Sequence, residues 1–286
     1  MIELKFPDGA SREYPEGATG RDVAASISPS LAKRAALVEI NGKQWDLDRP
    51  LEEGGAFRLI MRDDPEALET IRHDAAHVLA QAVQELFPGT QVTIGPAIED
   101  GFYYDFFREE PFSTDDFAAI EKKMAEIVDR DEKLVRQVWD RDEAIKLFES
   151  KGETFKAELI RDLPADETIT TYSTGDWVDL CRGPHFPSTK FVGKAFKLTK
   201  LAGAYWRGDH RNPQLQRIYA TAWASQADLD AYLLRVEEAE KRDHRKLGRA
   251  MELFHMQEEG RGMVFWHPKG WVLWQVIEAY MRRRLT

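Results

Sequence analysis

The chain has 286 residues, 43% hydrophobic and 31% charged, with a formal net charge of -10, a balance that excludes a single small domain, a disordered chain and a surface uniformly attractive to polyanions. A single cysteine, Cys181, excludes a disulfide framework, so it must act as a thiol, a thiolate or a metal ligand. No apolar run reaches the length of a membrane span and residues 1–9 lack the regions of a secretory leader, so the expected compartment is the cytoplasm, with no membrane partner.

Residues 2–6 alternate apolar and charged side chains before Asp8-Gly9, which reads as a half-buried strand entering a hairpin. Thr19 with Asp22 predicts a capping box, opening a helix whose apolar face carries Val23, Ala24 and Ile27. Residues 36–40 and 44–47 flank Asn41-Gly42, a strong hairpin signal, and 57–61 form a last strand. Hairpin, helix, hairpin and strand predict a small β-grasp unit with Val38, Ile40, Phe57, Leu59 and Ile60 in its core.

Asp64-Pro65 then opens a long helix with a buried stripe at Leu68, Ile71, Ala75, Leu79, Ala82 and Leu86. His73 and His77, four apart, present both imidazoles beside that stripe. Segments 92–98 and 102–107 read as antiparallel strands, in which Tyr103 and Tyr104 carry hydroxyls able to reach a polar ligand. Residues 114–129 and 140–151 read as amphipathic helices covering the sheet, the second capped by Asp140 and stopped at Gly152. Lys156 reads as an ordinary exposed lysine on composition alone.

Strands at 168–172 and 177–181 follow, and the alternation of the second puts Asp179 and Cys181 on one face. Gly183-Pro184 breaks that strand, a turn able to aim His185 back at Cys181. Further strands at 196–206 and 215–223 are joined by a loop with Arg207, His210 and Arg211, a composition suited to phosphate. Residues 228–246 read as a charged helix bridging two domains, ending in the most basic stretch of the chain, and 270–284 as a last helix. His73, His77, Cys181 and His185 together make a nitrogen- and sulfur-rich constellation with two chemistries open to it, zinc ligation and metal-free hydrolysis.

The order of these motifs carries a resemblance. His73-x3-His77, Gly95-Pro96, the run from Gly101 to Asp105, Asp179-x-Cys181-Arg-Gly-Pro-His185, the run from Gly203 to Asp209 and that from Leu215 to Tyr219 resemble the N-terminal half of bacterial threonyl-tRNA synthetases. The resemblance implies an α+β architecture: a TGS β-grasp domain at 1–62, an editing domain at 63–224 built on an antiparallel sheet and a long helix, a linker helix at 225–247, and the start of a class II catalytic domain at 248–286. In that family the remaining catalytic and anticodon-binding parts hold the ATP and magnesium site, the zinc that recognises threonine and the anticodon contacts. The chain is therefore expected to be a truncated piece without synthetic activity, from a homodimeric parent that ligates threonine to tRNA(Thr).

The implied activity is proofreading. A pocket that accepts threonine cannot strongly reject serine, because one methyl is worth only about 1–3 kcal/mol, so a second site hydrolyses the serine ester on the acceptor end of tRNA(Thr). The resemblance places the family's editing lysine at Lys156. The chemistry of the reaction then assigns His73 to water or the terminal ribose, His77 and His185 to orienting it or holding the water, Asp179 and Tyr104 to binding substrate, and Cys181 to shaping the pocket or holding water, with a covalent thioester as the less favoured alternative. No cofactor is expected in this part of the chain. The alternatives are zinc held by His73, His77, Cys181 and His185, as in the related alanyl editing domain, and a tRNA-binding or regulatory module without catalysis.

Overall fold

The computed structural model describes residues 1–285. By compactness the described residues fall into two units, with the division after Leu229.

In the first unit, strands β1 (Ile2–Lys5) and β2 (Ser11–Tyr14) form the opening hairpin, followed by helices α1 (Gly20–Ile27) and α2 (Pro29–Arg34) and strands β3 (Ala35–Ile40), β4 (Lys43–Asp46) and β5 (Gly55–Met61). The sheet runs β2-β1-β5-β3-β4, antiparallel except where β1 meets β5. Leu4, Val23, Val38, Ile40, Leu47 and Phe57 close its core. The capping box expected at α1 is formed: the Thr19 hydroxyl accepts from Asp22 N at 3.2 Å, and Asp22 Oδ2 accepts from Thr19 N at 2.9 Å. Thr19→Ala is expected to cost about 1 kcal/mol of stability, read as a lowered urea midpoint at unchanged slope.

Helix α3 (Leu68–Leu86) buries nearly its whole first half and middle. It packs against β7 (Ala97–Ile98) and β8 (Gly101–Phe107) and against α4 (Phe117–Asp129), while β6 (Gln91–Val92) pairs with β8. The continuous strand expected at 92–98 is two short pieces. Gly95 presses so closely on the Tyr104 ring that a Cβ there would lie 2.1 Å from it, and Pro96 has no N–H to extend a ladder. Ala36, Leu37 and Ile60 share one core with Ile71, Ala75 and Phe102, so the N-terminal sheet and α3 are parts of one packed body.

Strand β9 (Leu134–Trp139), helices α5 (Arg141–Ser150) and α6 (Thr154–Asp162), and strands β10 (Ile169–Thr174) and β11 (Trp177–Leu180) complete a second layer. Its sheet, β11-β10-β9, is separate from the larger one, in which β12 (Phe196–Tyr205) and β13 (Gln214–Ala222) lie beside β8 and β6 in the order β12-β13-β8-β6. The mixed α+β character and antiparallel pairing agree with expectation, but there are two sheets here rather than one. Neither β9 nor α6 was legible from periodicity, because β9 alternates without a buried face and α6 is short.

Helix α7 (Gln226–Lys241) spans the division between the units. It stops five residues before the expected end at 246, because Asp243 caps a new helix, α8 (His244–Ala250), accepting from Arg245 N at 2.8 Å. The second unit also holds β14 (Phe254–His255) paired with β15 (Phe265–Trp266), and α9 (Pro268–Leu285).

Candidate active site

One cleft of about 1080 Å³ collects the chemistry-bearing residues of the first unit. Helix α3 supplies His73 and His77, β8 Tyr104, α6 Lys156, β11 Asp179, and the segment after β11 Cys181. His185, in the loop that follows, is buried directly behind them. All seven predicted site residues therefore converge, although they come from four separate stretches of chain.

Two linked networks organise them. In the first, Asp179, 1% exposed, is a hub. Its Oδ1 lies 2.5 Å from Lys156 Nζ and accepts from Leu180 N at 2.8 Å. Its Oδ2 accepts from the Tyr104 hydroxyl at 2.7 Å and lies 3.0 Å from His77 Nδ1. Lys156 Nζ also donates to Tyr104 Oη at 3.0 Å. Burial by itself would raise the Asp179 carboxyl, but the Lys156 ammonium and the His77 imidazole outweigh it and hold the group far below the usual carboxylate range. Burial together with the adjacent carboxylate drives the Tyr104 phenol well up, so it stays a neutral donor.

The second network centres on sulfur. His73 Nε2 and His185 Nε2 each lie 3.1 Å from Cys181 Sγ, to which Gly183 N also donates at 3.3 Å. Burial opposes ionisation of the thiol, yet His185, His77 and His73 around it pull it well below its ordinary value. Burial likewise disfavours a charged His185 imidazole, and Cys181 with Asp74 reverses that, pushing it well up. His77 moves up too, with Cys181 and Asp179 overcoming its burial.

The expectation for Lys156 needs correction, and the two basic segments carry ion pairs that the sequence did not show. Lys156 is 2% exposed rather than an ordinary surface lysine, because α6 turns it inward onto Asp179. Arg207 is paired with Glu158 and Asp162, and Arg211 with Asp209 at 2.5 Å, so these loop cations already have acidic neighbours, in pairs exposed enough to exchange with solvent. At the basic stretch, Lys241 pairs with Glu237 and Glu238, and Arg245 with Asp243.

Two carboxylates were missed. Asp74 Oδ1 lies 2.6 Å from His185 Nδ1 and its Oδ2 accepts from Phe186 N at 3.0 Å, which fixes the loop that carries His185. It sits inside the His73-x3-His77 motif itself, where its acidic type was the available signal. Asp46, on β4, accepts from His185 N at 2.7 Å, and nothing local in the sequence pointed to it.

Residues 2–61 match the model of the TGS domain, and residues 169–219 match that of the threonyl and alanyl tRNA synthetase second additional domain, the editing domain. Along its full length the chain is 71% identical over 285 residues to a threonine–tRNA ligase of Phenylobacterium zucineum. The chain belongs to the threonyl-tRNA synthetase family. Threonine–tRNA ligases of Caulobacter vibrioides, 69% identical over 290 residues, and Rhodopseudomonas palustris, 62% identical over 286, also match all of it. The chain spans 43–44% of the length of these three relatives and corresponds to their N-terminal part. Within this threonyl-tRNA synthetase family chain, the second-additional-domain match covers β10, β11, Cys181 and His185, while His73, His77, Tyr104 and Lys156 lie outside the matched segment.

The donor set also fits zinc. The ligand atoms of His73, His77, Cys181 and His185 lie within 4.8 Å of one another, and His77 and His185 each face a carboxylate through the other ring nitrogen, the arrangement that orients metal-bound imidazoles. Four protein donors would close the coordination sphere, giving a structural ion and leaving no position for a reacting water.

Proposed function

We propose that this cleft hydrolyses the ester of serine on the terminal adenosine of tRNA(Thr), releasing serine and intact tRNA, as the proofreading part of a longer threonine–tRNA ligase that uses ATP. The observation that carries this reading is the meeting of a buried, carboxylate-anchored lysine with two imidazoles and a thiol in one open cleft, a third imidazole packed behind the thiol, in a chain that contains the editing-domain match.

A water attacks the acyl carbon. Its hydroxyl stays on serine and its proton passes through His73 to the departing ribose oxygen. His73 suits this task because it lines the cleft and, unlike His77 and His185, is not held by a carboxylate. Lys156 and the Tyr104 hydroxyl supply donors for the developing oxyanion or the neighbouring ribose hydroxyl. The negative charge of Asp179 draws the serine ammonium. All four acceptor positions of that carboxylate are already in use, so docking the ammonium releases Lys156 from Oδ1 and turns its Nζ toward the ester. His77 and His185 orient the water and the thiol, and the methyl that threonine carries beyond serine is rejected by volume.

The test is deacylation of serine-charged tRNA(Thr) by the full chain. Turnover that is lost in Lys156 and His73 variants still able to bind tRNA supports the reading. Binding without turnover in the wild type would instead identify a tRNA-binding module.

A second reading is favoured by one observation: Asp74, His185 and Cys181 stand in line, as acid, base and nucleophile do in covalent hydrolases. Cys181→Ala discriminates the readings. We expect it to retain at least about a tenth of wild-type turnover if water attacks directly, the residue then contributing only to positioning. Complete loss, with a seryl thioester on Cys181 trapped by acid quench and seen by mass spectrometry, would establish the covalent route. Stoichiometric zinc in protein purified without chelator or added metal, lost in the same variant, would overturn the metal-free reading.

A further inference from the structure

The hairpin of β3 and β4 belongs to the TGS match, yet it forms a wall of the cleft: Lys43, Gln44, Trp45 and Arg49 line the same space as His73 and Lys156. Asp46, at the end of β4, reaches into the loop that carries His185. Its Oδ1 accepts from His185 N at 2.7 Å and its Oδ2 accepts from the Tyr172 hydroxyl at 2.7 Å. The Tyr172 ring packs on the His185 imidazole with centroids 4.0 Å apart. Gly183 fits beneath them only because it lacks a side chain: its φ is +76°, and a Cβ there would meet Tyr172 Oη at 2.2 Å and Asp46 Oδ1 at 3.3 Å.

Tyr172 belongs to β10 of the second layer, so one carboxylate ties the N-terminal sheet to both the strand and the loop that set His185. Asp74 fixes the imidazole from the other side, through Nδ1. Without Asp46, the backbone N–H of His185 loses its acceptor and the Tyr172 hydroxyl loses its own, leaving the ring held by its hydrogen bond to Asp74 and by packing alone. A displacement on the order of 1 Å at such a point is enough to cost about 10²-fold in rate.

We infer that Asp46 is a positioning residue of the hydrolytic site, so that the TGS domain completes the editing cleft instead of being an independent appendage. This rests on the proposed hydrolysis. Its role is to set the His185 loop and to touch no reacting atom, so its loss lowers kcat and leaves KM for charged tRNA unchanged.

The experiment compares steady-state deacylation of serine-charged tRNA(Thr) by the full chain with that by Asp46→Ala, Asp46→Asn and Tyr172→Phe. Expected is a fall in kcat of about 10- to 100-fold for Asp46→Ala at unchanged KM. Asp46→Asn, which keeps a carbonyl oxygen for His185 N, recovers most of that loss, and Tyr172→Phe has an intermediate effect. Wild-type kcat in a folded Asp46→Ala, or an equal loss in Asp46→Asn, overturns the inference. Should Asp46→Ala fail to fold, judged by its circular dichroism and melting curve, Tyr172→Phe decides: a lowered kcat supports the role and a wild-type kcat overturns it. A wild-type chain that does not deacylate at all refutes the hydrolytic reading itself, and this inference with it. A wild type that deacylates, with Asp46→Ala equal to it, refutes only the inference.

Discussion

Lys156→Met is expected to abolish measurable deacylation, with a loss of at least about 10²-fold in kcat, the cost of removing one oxyanion-type donor. It should also destabilise the fold. Asp179 is 1% exposed and Lys156 2%, so methionine leaves a buried carboxylate with only His77, Tyr104 and one backbone N–H. Removing one partner of a buried pair costs about 3–5 kcal/mol, and the remaining donors place this case at the lower end. The double variant Lys156→Met/Asp179→Asn separates the two effects: it is expected to regain most of the stability and none of the activity. Recovery of turnover in the double variant would show that the lysine served the fold alone.

Acid sensitivity provides an independent check on the same pair. The Asp179 carboxyl is held far below its ordinary 3.8 in the folded protein. A depressed carboxyl contributes stability that is fully present above the unfolded value and is lost as pH falls toward the folded one. Removing Lys156 lessens the depression, so that contribution becomes smaller and disappears at higher pH. Acid titrations followed by tryptophan fluorescence should therefore show Lys156→Met unfolding at a higher pH than the wild type.

His73→Ala is the second variant with a large expected effect, about 10²- to 10⁴-fold in kcat, the usual contribution of a positioned general base. Its stability cost is expected to be much smaller than that of Lys156→Met. His73 is half-buried, and its ring meets the Cys181 sulfur at 3.1 Å with no carboxylate holding it. The outcome that would defeat the assignment is a His73→Ala protein with wild-type kcat. The contrast between the two variants, one losing activity and stability together and the other chiefly activity, distinguishes a structural ion pair that also serves chemistry from a group exposed to the reacting water.

Much of the fold was legible because it rests on local rules. The Thr19 capping box, the Asn41-Gly42 hairpin, the stripe of α3 and the alternation that puts Asp179 beside Cys181 are each written within a few residues. The recognisable motifs likewise nominated His73, His77, Cys181, Asp179 and His185 before any contact was known. Lys156 is different. Composition assigned it to the surface, and only the resemblance to a family assigned it a role. Its burial depends on α6, a nine-residue helix whose apolar positions Phe155, Ala157 and Ile160 make too short a pattern to stand out.

The sequence by itself determined the identity and order of the motifs, and hence the family, the α+β class and the residue types available for catalysis. Only the tertiary structure decided which charges are spent on one another. Arg207 and Arg211 looked free for phosphate until Glu158, Asp162 and Asp209 came to meet them. Asp46 and Asp74 carried no role in the sequence reading, yet one reaches 139 positions along the chain to His185 N and the other 111 positions to its ring. The reason is physical. Periodicity reports which face of an element avoids water, whereas the partner of a buried charge is set by which distant backbone and side-chain groups the packed layers bring within about 3 Å, a distance no local pattern encodes.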